Sequence, residues 1–314
     1  MPRQSARELA KGQKVEEVYL LAQCQLKTSR RGSDYLDLEF RDRSGDIRGK
    51  KWETTREEFE GLAEGAYVRV RGVVEAFQGS PQLRVEAIEL VDPGSVDPGD
   101  FAPVSPADVD RMWGELVEIY LGLANPHLAA LFRAFFADKA FCRALRQAPA
   151  ASRNHHSYVG GLLEHVLSLA RVADAVARHY EALDHDLLLA GVFLHDVGKV
   201  RELDPGPGFP FTVEGELVGH VVLGVTLLDE MLATLPDFPP ALRLQLVHLV
   251  LSHHGEREWG APVVPKTLEG LVLHQLDNLD AKVHMYLRAV SGPGAGLFTS
   301  WEKNLGGRMY RGEG

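Results

Sequence analysis

The chain has 314 residues, enough for two domains, and its 45% hydrophobic and 25% charged residues are the balance of an ordinary soluble globular protein. A formal charge of −10 argues against a simple polyanion-binding protein, so any nucleic acid has to be drawn to a local basic face. No apolar run approaches the roughly 20 residues of a membrane-spanning helix, and Met1–Lys14 lacks the apolar core of a signal peptide, which predicts a cytoplasmic protein. Cys24 and Cys142 are too few and too far apart for a disulfide framework or a thiolate metal site.

From Val15 to Val91 the sequence reads as short strands. Val15–Lys27, Tyr35–Phe40, Asp46–Trp52, Tyr67–Val74 and Gln82–Val91 are rich in β-branched, aromatic or alternating residues, with turn signals at Arg31–Asp34, Asp42–Gly45 and Gln78–Pro81. Thr55–Leu62 reads as one short helix after the third strand, capped by Thr54 or Thr55. Five strands with a helix after the third is the element order of an OB-fold barrel. The turns Val91-Asp-Pro-Gly and Val96-Asp-Pro-Gly and the prolines of Phe101–Val104 make a linker. Ser105, with Pro106 next to it, and Asn125-Pro126 are two helix starts.

Beyond the linker the apolar spacing is helical, most clearly over Gly160–Tyr180, Asp184–Lys199, Glu216–Leu235, Pro239–His253 and Thr267–Ala289. The predicted organisation is an all-β OB-fold domain over 12–92, a linker over 93–104, an all-α helical bundle over 105–290 and a loose glycine-rich tail over 291–314, in which Trp301 and Tyr310 are candidates to dock. All 13 histidines fall between His127 and His284, so histidine chemistry belongs to the helical part.

The strongest signal there is Leu194-His195-Asp196-Val197-Gly198-Lys199, which ends an otherwise apolar run. A buried His-Asp pair must be partnered or hold a metal. His165, His220, His253-His254 and Asp277 are dispersed along the chain, and only a folded bundle brings such residues together, as bundle metal sites do. Imidazole and carboxylate donors suit Mn²⁺, Fe²⁺, Co²⁺ or Zn²⁺.

The order His165, His195-Asp196, Asp277 resembles the defining pattern of HD-domain phosphohydrolases. The segments His155–His165, Leu194–Lys199, Ser252–Gly255 and Leu276–Ala281 resemble the YhaM-type 3′–5′ exoribonucleases, which also carry an OB domain ahead of the HD domain. The resemblance covers roughly Val15 to Val290. It implies a divalent metal, with Mn²⁺ the first choice, bound as one or two ions. His165, His195, Asp196 and Asp277 are the candidate ligands of one ion, and His220, His253 and His254 those of a second bridged by Asp196. Asp280 shares a helix face with Asp277, and the family pattern favours Asp277. His274 is expected to be structural.

If the helix continues past His195, Lys199 lies on the same face four residues on, where it can meet a phosphate. Asp196 and Lys199 are the candidate catalytic residues; Arg153 and His156 are weaker candidates for phosphate contact. In the strand half, Lys27, Arg30, Arg31, Arg48, Lys50 and Trp52 suit a single strand, with phosphates paired and bases stacked, and basic residues also alternate at Arg69 and Arg71. The opposing reading is a solvated sheet face with Trp52 in the core, which Asp37, Glu39 and Asp42 favour.

The leading expectation is therefore a metal-dependent exonuclease that shortens single-stranded RNA or DNA to nucleoside monophosphates, its 3′–5′ direction implied by the resemblance alone. Two alternatives stay open: an HD nucleotidase or cyclic-nucleotide phosphodiesterase, and a non-catalytic single-strand-binding or replication-associated factor. A homo-oligomer is allowed by the sequence and not specified by it.

Overall fold

A computed structural model describes residues 3–29, 32–52, 54–77, 80–96, 100–101, 108–151, 158–206, 208–292 and 296–312. The chain forms two compact units. One is built from Met1–Val104, Gly206–Pro210 and Tyr286–Gly314, the other from Ser105–Pro205 and Phe211–Met285.

The first unit is a closed five-stranded barrel of order β1-β2-β3-β5-β4, with β1 at Lys14–Thr28, β2 at Asp34–Asp42, β3 at Gly45–Trp52, β4 at Tyr67–Phe77 and β5 at Ser80–Leu90. All neighbours are antiparallel except β3 and β5, which pair in parallel. β1 is long because one end pairs with β4 and the other with β2, with a register shift between Leu21 and Gln23 where it bends. Between β3 and β4 lies α1 (Arg56–Glu60), capped by the Thr55 side chain, which accepts from the Glu58 N–H. This is the OB arrangement that the strand order predicts. The period of two decides what faces inward. Leu36, Leu38 and Phe40 of β2 are buried with Tyr19, Val68, Val70 and Leu83, while Tyr35, Asp37 and Glu39 alternate with them on the outer face.

The glycine-rich tail is more ordered than expected. It forms a hairpin of β6 (Phe298–Glu302) and β7 (Gly307–Tyr310), turned at Gly306, which takes a left-handed conformation. The Tyr310 carbonyl accepts from the Tyr286 hydroxyl at 2.8 Å, whereas Trp301 is exposed.

The second unit is all-α: α2 (Val109–Leu121), α3 (Pro126–Ala137), α4 (Lys139–Gln147), α5 (Gly161–His179), α6 (His185–Leu194), α7 (Lys199–Glu202), α8 (Val213–Val218), α9 (His220–Leu232), α10 (Pro240–Ser252) and α11 (Leu268–Ser291). Asn125 caps α3 with Pro126 at its first position, as the sequence predicts. α2, however, starts at Val109 with Asp108 as its cap, the Asp108 side chain accepting from the Asp110 and Arg111 N–H groups; Ser105 and Pro106 lie outside the described residues. A carboxylate accepting from two free N–H groups at the positive end of a helix satisfies the start without a preceding turn.

Every residue of α6 from Asp186 to Leu194 is buried, and Phe193 packs edge-on against Tyr120 and Phe132 at 5.0 Å. An element buried on all sides shows no amphipathic period, which is why it reads as a plain apolar run. Two long helical patterns are each cut into two helices. Asp184–Lys199 breaks into α6 and α7 at a turn over 195–198, and Glu216–Leu235 breaks into α8 and α9 at Gly219. Among the described residues no helix is long and apolar enough to cross a membrane.

Candidate metal centre

Five helices bring the dispersed polar residues to one place. α5 supplies His165; the end of α6 supplies His195 and the turn after it Asp196. α10 supplies His253 at its C-terminal end, with His254 following, α11 supplies Asp277 and α9 begins with His220. His165, His195, Asp196 and His253 are all buried.

The donors sort into two clusters. His165, His195 and Asp277 form one, and His220, His253 and His254 the other, each with donor atoms within 4.8 Å of one another. In the first, His165 Nε2 lies 3.3 Å from His195 Nε2 and 3.3 Å from Asp277 Oδ1, and His195 Nε2 lies 3.8 Å from the same oxygen. Two donors at about 2.1 Å from a shared ion and at right angles sit about 3 Å apart, so this spacing fits joint coordination. Asp196 stands between the clusters. Its Oδ2 lies 3.4 Å from His195 Nε2 and 3.7 Å from His165 Nε2, while Oδ1 lies 3.5 Å from His220 Nε2 and 3.7 Å from His253 Nε2.

Each ring is turned by a hydrogen bond from its far nitrogen. Nδ1 of His195 donates to the Val192 carbonyl and Nδ1 of His253 to the Val250 carbonyl, both at 2.7 Å. Nδ1 of His165 meets Asp280 Oδ2 at 2.8 Å, and Nδ1 of His220 meets Glu202 Oε1 at 2.9 Å. With the proton placed on Nδ1, all four rings present an Nε2 lone pair to the centre, the tautomer that a metal requires. His220 Nε2, His253 Nε2 and His254 Nδ1 are buried and have no hydrogen-bond partner among the described residues. Orphaned acceptors are costly and rare, and three in one cluster fit a cation better than any packing role.

The electrostatics agree. Burial pushes the carboxyl of Asp196 up, but Lys199, His195 and His220 outweigh it and hold the group well below the usual carboxylate range. Asp277 behaves likewise, burial being outweighed by His165 and His195. Burial, with the neighbouring His195, drives His253 down and keeps it neutral. Burial also lowers His165, yet hydrogen bonds to Asp277 and Asp280 and the charge of Asp196 raise it to about 9. The clustered negative charge that draws a proton onto His165 is what a divalent cation would neutralise.

His165, His195, Asp196, His220, His253, His254 and Asp277 come together. Asp280 faces the outer nitrogen of His165 and accepts from the Ser168 hydroxyl at 2.6 Å. His274 Nδ1 lies 3.0 Å from the His253 carbonyl, a structural contact. Lys199 does not share a continuous helix with His195, because the backbone turns at 195–198; its Nζ instead lies 2.5 Å from Asp196 Oδ2. Arg153 and His156 lie outside the described residues, as do Arg30 and Arg31 of the barrel.

On the barrel, Trp52 is 46% exposed and not in the core. It pairs across β2–β3 with Tyr35 at a ring separation of 4.8 Å. Lys50 Nζ lies 5.0 Å from the Tyr35 ring, 5.6 Å from Trp52 and 5.2 Å from Phe77, itself 51% exposed. Lys27 is ion-paired with Asp37, and Arg48 is exposed, facing Glu39 across the strands, so this outer face is mixed in charge. Exposed aromatics around one lysine are the feature that stands out. Tyr35 and Phe77 escaped the sequence reading. The hairpin register opposite Trp52 could have exposed Tyr35, whereas Phe77 reaches Lys50 only through barrel closure.

Comparison with known proteins adds the relationship. Residues 162–282 match the HD domain family, and residues 20–91 match an OB-fold nucleic acid binding domain. The 3′-5′ exoribonuclease YhaM of Bacillus subtilis (strain 168) is 37% identical over 290 residues, covering 92% of this chain and 91% of the relative. The chain belongs to the YhaM family. The YhaM proteins of Bacillus licheniformis, 36% identical over 96% of this chain and 98% of the relative, and of Oceanobacillus iheyensis, 34% identical over 92% and 90%, carry the same name of 3′-5′ exoribonuclease. In this YhaM-family chain the HD match spans α5 to α11 as far as residue 282 and so includes every residue of both donor clusters.

Proposed function

We propose that this chain is a metal-dependent 3′–5′ exoribonuclease that hydrolyses single-stranded RNA to nucleoside monophosphates in the cytoplasm. The observation that carries the reading is Asp196, whose two oxygens face two separate histidine clusters. His165, His195, Asp196 and Asp277 would hold one divalent ion, and His220, His253 and His254 a second, with Asp196 shared. Mn²⁺ is the first choice, and Co²⁺, Fe²⁺ or Zn²⁺ share its liking for imidazole with carboxylate, unlike all-oxygen Ca²⁺ sites. Such ions polarise a phosphoryl oxygen and lower the pKa of water, which is the chemistry of phosphodiester hydrolysis.

The protein's own groups do the rest. Asp280, Val192, Glu202 and Val250 hold the four rings in their ligating tautomers. Lys199 puts a cation beside Asp196, where charge develops on the phosphoryl oxygens. Arg153 and His156 are further candidates for phosphate contact. The barrel, residues 12–92, holds the strand. Trp52, Tyr35 and Phe77 stack bases, and Lys50, Arg48, Lys27, Arg30 and Arg31 pair phosphates, so that a local cationic and aromatic face works against the net negative field.

Incubation of purified protein with 5′-labelled single-stranded RNA and Mn²⁺ tests this. A ladder of 5′-labelled fragments shortening from the 3′ end, with mononucleotide products, is expected. Hydrolysis of mononucleotides or cyclic nucleotides with intact RNA would overturn it.

A further inference from the structure

We propose that Glu202 is a positioning residue of the centre: one oxygen of its carboxylate both starts α9 and turns the His220 ring so that Nε2 faces Asp196. This rests on the reading of His220 as a metal ligand. Glu202 Oε1 accepts from the His220 backbone N–H at 2.8 Å and from the His220 ring Nδ1 at 2.9 Å. Glu202 is buried.

The local backbone explains why a glutamate is needed here. The cap position of α9 is Gly219, at φ 78° and ψ 153°, a conformation open to glycine and closed to side chains that could cap. α9 therefore begins with no side-chain cap of its own, and the first N–H is met from α7 instead. The turn over 195–198 lies backbone to backbone against that start. A Cβ on Gly198 would sit 2.0 Å from the His220 carbonyl oxygen and 2.6 Å from the Gly224 nitrogen. The close approach brings His220 to within 3.5 Å of Asp196, and the carboxylate at the positive end of α9 adds the favourable dipole term.

A helix cap alone would not need the ring contact. With Glu202 removed, nothing fixes the proton on Nδ1, and His220 is free to place it on Nε2, where it blocks coordination. Glu202 then acts on the His220 cluster and leaves the His165 cluster, oriented by Asp280, untouched.

The test uses the metal-stripped full chain as wild type, Glu202→Ala and Glu202→Gln. The tautomer of His220 is read by ¹⁵N NMR, and Mn²⁺ binding by titration with electron paramagnetic resonance. In wild type His220 should carry its proton on Nδ1 and two ions should bind. In Glu202→Ala the Nδ1–H form should be lost at His220 and kept at His195 and His253. The first ion should bind as before and the second about 10–100-fold more weakly, with Glu202→Gln between the two. An unchanged His220 tautomer in Glu202→Ala overturns the role of Glu202 at any metal stoichiometry. A single ion in wild type together with a changed tautomer overturns the two-ion reading and supports Glu202. If the alanine variant does not fold, Glu202→Leu, which fills the space without an acceptor, gives the same readings.

Discussion

His195 and His253 are held in the same way: each follows the last residue of its helix, α6 or α10, and each donates from Nδ1 to the carbonyl three residues before it, Val192 or Val250, at 2.7 Å. The bond satisfies a carbonyl that a helix end otherwise leaves free. It also sets the tautomer and places both Nε2 atoms at the negative ends of helices, where a cation is favoured. One local device therefore serves both donor clusters.

Removing a ligand should stop the chemistry without unfolding the chain. His195→Ala or Asp196→Ala should lower hydrolysis of single-stranded RNA at least about a hundredfold, because losing a catalytic ion costs several kcal/mol in the transition state. RNA binding measured by filter retention should persist, since the aromatic face lies in the other unit. A variant keeping more than about a tenth of the wild-type rate would falsify the assignment.

Metal identity should follow donor chemistry. Chelation with EDTA should abolish turnover, and Mn²⁺ or Co²⁺ should restore it far better than Ca²⁺, which prefers oxygen donors. Steady-state rates of the stripped protein across a metal series check this. Full activity in excess chelator, with elemental analysis finding no metal, rules it out.

The barrel face should affect long substrates more than short ones. Trp52→Ala and Phe77→Ala should each raise KM on long strands about tenfold, in line with about 1–3 kcal/mol per stacked base, with little change in kcat. Lys50→Ala should flatten the slope of log affinity against log salt by about 0.7 on single strands. Equal length and salt dependence in wild type and all three variants would show that this face does not hold the strand.

His185 gives a pH dependence remote from the donor clusters. It bridges Asp186 at 2.9 Å and Asp174 at 3.0 Å; burial lowers its pKa, but those two carboxylates raise it on balance. A raised folded pKa stabilises fully below the unfolded value of about 6.5, and the contribution is lost as pH rises through the folded value. The Tm difference between wild type and His185→Gln should therefore be larger at pH 5.5 than at pH 8.5. Solvent screening of this partly exposed pair keeps the effect below about 1 kcal/mol. A gap that widens at the higher pH contradicts the sign.

Much of this protein was legible in the residues themselves. Alternation in β2 placed Leu36, Leu38 and Phe40 inside, the strand order announced the barrel, and the His195-Asp196 pair inside an apolar run marked the centre, because local periodicity and buried polarity are properties of the chain alone. Tertiary structure decided the rest. The backbone turns at 195–198 and at Gly219 ended two helical patterns that continued in the sequence, since close packing of Gly198 on α9 outweighs local propensity. That packing put Lys199 on Asp196 instead of on the face of His195. Between Asp277 and Asp280, equivalent by spacing, only the position of α5 decides which meets the inner nitrogen of His165 and which the outer. Glu202 and Phe77 carry no local signal, for each matters only through a partner that folding brings to it from another element.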